Sequence, residues 1–335
     1  MVRDRYIARA ARRSITAFGL TAILGLGACA KADGMAQPFD SPQLSSPTVA
    51  DEAASKTERT EFRVEAGQES IALTQWRPGA DAKAVILAVH GYGDYGSSTF
   101  ARAAEDWAQQ GILTYAYDQR GFGRNPSNGD WPGHEALIDD LGKISALIRS
   151  KHPDRTLILI GHSMGGGVVT AALGEGRVQV DRAVLLAPAL WGGANLSPFL
   201  RAMAHAAHTV APNKRWTGDG IVKIQASDNI EMLRGLGRDP LYVRNPSSRE
   251  FVGLIRLMDR AVAAAPTVET PILVVYGAKD EVVPEAPITD AFDAFKGPKR
   301  YEKIETGWHM LLRDLEGSVV RDLVAEFALD EDRAS

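Results

Sequence analysis

The chain has 335 residues, of which 45% are hydrophobic and 24% charged, with a formal net charge of −4 and one cysteine, Cys29. This length carries one substantial hydrophobic core, and a lone cysteine rules out an internal disulfide. No basic block or aromatic-basic stripe occurs beyond the first residues, which excludes a nucleic-acid partner.

The chain opens on a basic head, Arg3, Arg5, Arg9, Arg12 and Arg13, with one acid, Asp4. An apolar stretch follows from Ile15 to Ala28. It is shorter than the ~20 apolar residues a membrane span needs, so residues 1–30 read as a signal segment. Ala28-Cys29-Ala30 fits an Ala-x-Ala cleavage site. Leu26-Gly27-Ala28-Cys29 also resembles a lipobox, in which Cys29 is lipidated and becomes the mature N-terminus. The lipobox is preferred because Cys29 lies where one requires it. The expectation is export from the cytoplasm, either as a lipoprotein anchored to a membrane through Cys29 or as a periplasmic or secreted protein. Residues 31–60 are rich in Pro, Ser, Ala and Asp and read as a flexible linker.

Residues 61–330 carry the fold. Phe62–Glu65 and Ile71–Trp76 flank a polar turn and predict an antiparallel hairpin. Apolar runs then alternate with helical patterns: Ala84–Val89, Thr114–Tyr117, Leu157–Ile160, Ala183–Leu186, Ile272–Tyr276 and Tyr301–Ile304. The alternation predicts an α/β domain with a mostly parallel central sheet and helices on both faces. It breaks over about 190–266, which is apolar, helical in period and too long for a loop, so this interval reads as an inserted helical cap.

The run Leu157–Ile160 ends at Gly161-His162-Ser163-Met164-Gly165, and a helix-compatible segment follows at once. A Gly-x-Ser-x-Gly between a buried strand and a helix is a nucleophile elbow, which holds the serine in a strained turn with its hydroxyl free. A serine needs a base, and the base needs a carboxylate to hold its tautomer. In elbow enzymes the chain order is Ser, acid, His. His90, His134, His152 and His162 fail that order as bases, and His205 and His208 precede any good acid. His309, just past the last predicted strand, remains. The loop after Ile272–Tyr276 offers Asp280, with Glu281 and Asp290 as other candidates. Oxyanion donors are expected from the N–H of Met164 and, in the turn His90-Gly91-Tyr92-Gly93, from that of Tyr92.

That turn also spells a dinucleotide fingerprint, Gly91-Tyr92-Gly93-Asp94-Tyr95-Gly96, with Asp118 placed as its acidic partner. The dinucleotide reading leaves the elbow, Asp280 and His309 unexplained. The other reading of Asp118 is structural, pairing with Arg120. His205 and His208, at i and i+3, lack a third ligand, so no metal site is expected.

These motifs resemble the α/β-hydrolase fold. More narrowly, they resemble its monoglyceride lipase and lysophospholipase-like branch, also grouped with serine aminopeptidase-type hydrolases. The likeness rests on His90-Gly91-Tyr92-Gly93, Asp118-Gln119-Arg120-Gly121-Phe122-Gly123, Gly161-His162-Ser163-Met164-Gly165-Gly166, Gly277-Ala278-Lys279-Asp280 and Trp308-His309-Met310-Leu311-Leu312. It implies Ser163, Asp280 and His309 as the triad and the N–H groups of Tyr92 and Met164 as the oxyanion hole. It also implies cleavage of a small acyl ester such as a monoacylglycerol or lysophospholipid, with no cofactor. Asp94-Tyr95 departs from the Glu-His that relatives often carry, and the cap has no close match. Two alternatives stay open: an aminopeptidase or amidase, for which Asp219, Asp228, Glu231 and Asp239 could supply an acidic pocket, and a lipoprotein that binds without catalysis.

Overall fold

Runs of six apolar residues with no polar alternation are stable only when both faces are covered, and a parallel sheet under helices provides that. In the computed structural model, which describes residues 57–67, 69–217 and 224–330, such runs form the middle of an eight-stranded sheet. The strands are β1 (Glu58–Ala66), β2 (Glu69–Arg77), β3 (Ala84–Val89), β4 (Ile112–Tyr117), β5 (Thr156–His162), β6 (Arg182–Leu186), β7 (Ile272–Gly277) and β8 (Lys299–Ile304). Their order is β1-β2-β4-β3-β5-β6-β7-β8. β1 and β2 run antiparallel at one edge, and every pairing from β4 to β8 is parallel.

The signal segment, Cys29 and Asp219 lie outside the described residues. β1 opens at Glu58, inside the stretch 31–60 whose composition reads as a linker. An edge strand packed on one side needs few apolar residues, so Glu58-Arg59-Thr60 carries no compositional mark of its register with β2.

Alternate residues of each central strand serve opposite faces. Val85, Leu87 and Val89 of β3 join the cluster formed with helices α2 (His134–Lys151) and α3 (Met164–Gly174). Ala84, Ile86 and Ala88 join the cluster formed with α1 (Gly96–Gln109) and α8 (Gly317–Leu329). Trp107 of α1 locks the second face by donating its indole N–H to the Arg321 carbonyl (2.9 Å).

The expected cap lies between β6 and β7. It holds α4 (Pro198–Val210), α5 (Ile230–Arg238) and α6 (Ser248–Ala264), and α7 (Glu285–Ala294) follows β7. Each cap helix begins at a side chain that satisfies a free first-turn amide: Ser197 accepts from Leu200 N, Asn229 from Met232 N, and Ser247 with Glu250 closes a capping box. α6 is the most deeply packed of the three. Its Val252, Leu257, Met258 and Ala261 are buried, and it lies against α3.

Candidate active site

β5 runs directly into α3, and Ser163 is the joint. Its backbone takes φ 51° and ψ −117°, a left-handed conformation that costs a side chain of this kind about 1–3 kcal/mol. The surroundings impose it. Ser163 N donates to Leu186 O (3.0 Å), and Ser163 O accepts from Ala189 N (2.9 Å) and Gly167 N (3.2 Å). The flanking glycines permit the close packing. A Cβ on Gly161 would lie 2.6 Å from Gly165 O, and one on Gly165 would overlap Val89 O.

β7 ends three residues before Asp280, and β8 ends five before His309. The two loops are stitched together by Ala278 N to Ile304 O and Lys279 N to Gly307 O, both 2.9 Å. Asp280 Oδ2 accepts from His309 Nδ1 at 2.8 Å, with side-chain exposures of 0% and 3%. The other carboxylate oxygen accepts from Val282 N (2.7 Å) and Val283 N (3.0 Å). A ring whose Nδ1–H is held by a carboxylate keeps its lone pair on Nε2, as a base requires. The other two candidate acids do not reach His309: Glu281 accepts from Gln225 N (2.7 Å), and Asp290 is exposed on α7. Ser163 Oγ makes no hydrogen bond to His309 among the described residues. Such contacts are often long before substrate binds.

The turn after β3 lies against the elbow. A Cβ on Gly91 would come within 3.2 Å of Ser163 Cβ. His90 braces this turn. Its Nδ1 donates to Gly91 O (2.7 Å), and its Nε2 accepts from Gln119 N (2.8 Å). Burial holds the His90 pKa below the usual histidine value. Neither Tyr92 N nor Met164 N has an acceptor among the described residues, which leaves both amides available to an oxyanion. Tyr92, Ser163, Asp280 and His309 thus all sit beyond the carboxyl ends of parallel strands, where ligands bind in open α/β sheets.

One reading of the sequence needs correction. Asp118 is fully buried and pairs with Arg124, accepting from its Nε (2.8 Å), its Nη2 (3.1 Å) and its backbone N (2.8 Å). It also accepts from Gly96 N (3.0 Å) at the start of α1. Arg120, the partner expected from the sequence, instead forks onto Asp140 (2.8 Å at both oxygens). With its carboxylate bonded to its own chain, Asp118 has no capacity for a ribose. Sequence reasoning missed a role for His162, which chain order discards as a base. It takes a different part: its Nε2–H donates to the His309 carbonyl (3.0 Å), and the two rings lie 5.0 Å apart. Burial, reinforced by the neighbouring His309, pushes its pKa down to about 3, so the ring stays neutral. Its place inside the elbow pentapeptide was the one available signal.

The cap reaches both loops. Ala226 O accepts from Met310 N (3.0 Å), and Ser227 Oγ donates to Asp314 (2.6 Å), which also accepts from Trp308 N (2.7 Å). Three carboxylates considered for an amine pocket are already engaged: Asp228 by Leu315 N (2.9 Å), Glu231 by Arg234, and Asp239 by Tyr95 Oη (2.7 Å).

The sequence pattern of the family described as serine aminopeptidase, S33, matches residues 80–316. The chain belongs to this family. The S33-family chain is 28% identical over 269 residues to a monoacylglycerol lipase of Mycolicibacterium smegmatis, covering 77% of this chain and 92% of that one. It is 24% identical over 246 residues to the monoglyceride lipase of Mus musculus, with 72% and 80% covered. Among solved structures, a soluble variant of the Saccharomyces cerevisiae monoglyceride lipase with a substrate analog superposes with a TM-score of 0.69 at 18% identity, covering 83% of this chain and 97% of that one. The monoacylglycerol lipase of Paleococcus ferrophilus gives 0.62 at 20% identity, with 82% and 98% covered. The α/β-hydrolase fold and the lipase-like branch expected from the motifs are thereby shown.

Proposed function

We propose that this S33-family hydrolase cleaves carboxylic esters through Ser163, His309 and Asp280 by way of an acyl-enzyme. The observation that carries the reading is the buried Asp280–His309 hydrogen bond beside a strained elbow serine. His309 Nε2 takes the Ser163 proton as Oγ attacks the ester carbonyl. The N–H groups of Tyr92 and Met164 hold the tetrahedral oxyanion, and His309 returns the proton to the departing alcohol. Water then repeats the cycle on the acyl-enzyme. The sequence of steps calls for neither metal nor cofactor.

The substrate class we favour is a small acyl ester of the monoacylglycerol or lysophospholipid kind, in keeping with the activities named for the relatives. The family description raises an aminopeptidase as the rival. Its substrates carry a cationic amino terminus, and the engagement of Asp228 and Asp239 in contacts of the fold favours the ester. We further propose that Cys29 is lipidated and holds the enzyme to a membrane outside the cytoplasm. The test is a series of p-nitrophenyl acyl esters against aminoacyl anilides, with Ser163→Ala as control. Esters should turn over and lose several orders of magnitude in the variant. Preferential anilide cleavage would instead make it an aminopeptidase. Mass spectrometry of the mature N-terminus checks the anchor, and an unmodified chain starting at Lys31 would contradict it.

A further inference from the structure

We propose that Asp94 and Arg313 form a positioning pair that fixes the turn carrying the Tyr92 N–H against the loop carrying His309. The role rests on the hydrolase reading above. Asp94 lies two residues past Tyr92, and Arg313 four past His309. Their side chains, 5% and 9% exposed, meet at 2.5 Å between Arg313 Nη2 and Asp94 Oδ2, across 219 residues of chain.

Both ends are anchored. Asp94 Oδ1 accepts from Tyr95 N (2.9 Å), which orients the carboxylate within its own turn. Arg313 Nη1 donates to Ser98 Oγ (3.3 Å) and Ser98 O (3.4 Å) in the first turn of α1. The Arg313 backbone closes the turn after His309 by donating to Met310 O (2.7 Å), and its carbonyl accepts from Asn229 Nδ2 (3.0 Å) of the cap. Burial alone would raise the Asp94 carboxyl. Arg313 and the hydroxyl of Ser98 outweigh it, so Asp94 titrates below the usual carboxylate range and stays charged.

A buried ion pair is a poor source of stability, because desolvation consumes most of its attraction. What it supplies is geometry, since neither charge can leave without stranding the other. Here the geometry is the distance between an oxyanion donor and the general base, which the sheet sets only indirectly: β3 and β8 are not neighbours, and β5, β6 and β7 stand between them.

The test compares kcat and KM on p-nitrophenyl butyrate, with melting temperature recorded for each variant. A displacement near 1 Å costs on the order of 100-fold in rate. Asp94→Asn and Arg313→Met should therefore each lose about 10- to 100-fold in kcat with KM within about threefold. The double variant Asp94→Leu/Arg313→Met removes both charges and leaves none stranded. Its kcat should match the single variants rather than their product, because the pair acts as a unit. If it does not fold, Arg313→Lys is measured in its place. Lysine keeps the charge but loses the planar fork that reaches both Asp94 and Ser98, with a kcat loss of about 3- to 10-fold expected. A folded variant with kcat within twofold of the parent overturns the positioning role. A parent protein with no ester turnover and no fluorophosphonate adduct overturns the hydrolase reading itself and the pair's role with it.

Discussion

In β3 through β7 every residue but Thr156 is buried, whereas in α4 of the cap none is. Phe199, Met203 and Val210 of α4 stand 71%, 54% and 85% exposed. Their spacing of four and seven residues puts them on one side of the helix, while Leu200, Ala204 and Ala207 are partly covered and α4 lies along α6. The two regions divide the work of the molecule. The sheet packs without slack and fixes Ser163, Asp280 and His309. The cap is held to the same loops by a few polar contacts, such as Met310 N to Ala226 O, and leaves an apolar stripe uncovered. Apolar periodicity therefore reports that a helix is amphipathic, not where its apolar side goes.

The largest expected effect lies in the sheet-borne loops. Asp280→Asn should leave the fold intact and lower kcat by about 10⁴-fold, because the imidazole loses its orienting carboxylate. Steady-state kinetics beside a circular-dichroism melt checks this, and a folded variant with near-normal kcat would remove Asp280 from the site. Next comes the cap helix that is most deeply core-packed. Leu257→Ala in α6 should cost about 2–5 kcal/mol in urea unfolding. Phe199→Ser in α4 should stay within about 0.5 kcal/mol of the parent. Equal costs would erase the distinction between the two parts of the cap.

A smaller effect follows from His162. Its folded pKa of about 3 lies below the unfolded value near 6.5, so between those pH values the unfolded chain binds more protons. The stability that the neutral ring contributes is complete above about pH 6.5 and drains away as pH falls toward 3. The melting-temperature gap between the parent and His162→Asn should therefore be wider at pH 7.5 than at pH 4.5. A gap independent of pH would mean that His162 titrates normally.

Much of the sheet is legible because unbroken apolar runs such as Leu157–Ile160 are stable in a parallel sheet covered on both faces. The pairing of Asp280 with His309 is legible because an elbow serine would impose a chain order on its partners. What the sequence leaves unread lies where loop geometry or long-range contact chooses the partner. Nothing local distinguishes Arg124 from Arg120 as the partner of Asp118, since both are within six residues and loop geometry decides. The His162 contact to His309 O spans 147 residues, and the Asp94–Arg313 pair spans 219. No periodicity encodes such pairs. The exposed stripe of α4 escapes for a related reason: helical spacing is the same whether a neighbour covers it or not.

The central claim, that Ser163 is a nucleophile activated by His309 and Asp280, is tested most directly by fluorophosphonate labelling followed by peptide mass spectrometry. The expected result is one phosphonyl adduct on Ser163, formed rapidly in the parent, absent in Ser163→Ala and slowed by orders of magnitude in Asp280→Asn. A folded parent protein that acquires no adduct, or acquires it on another residue, would contradict the account.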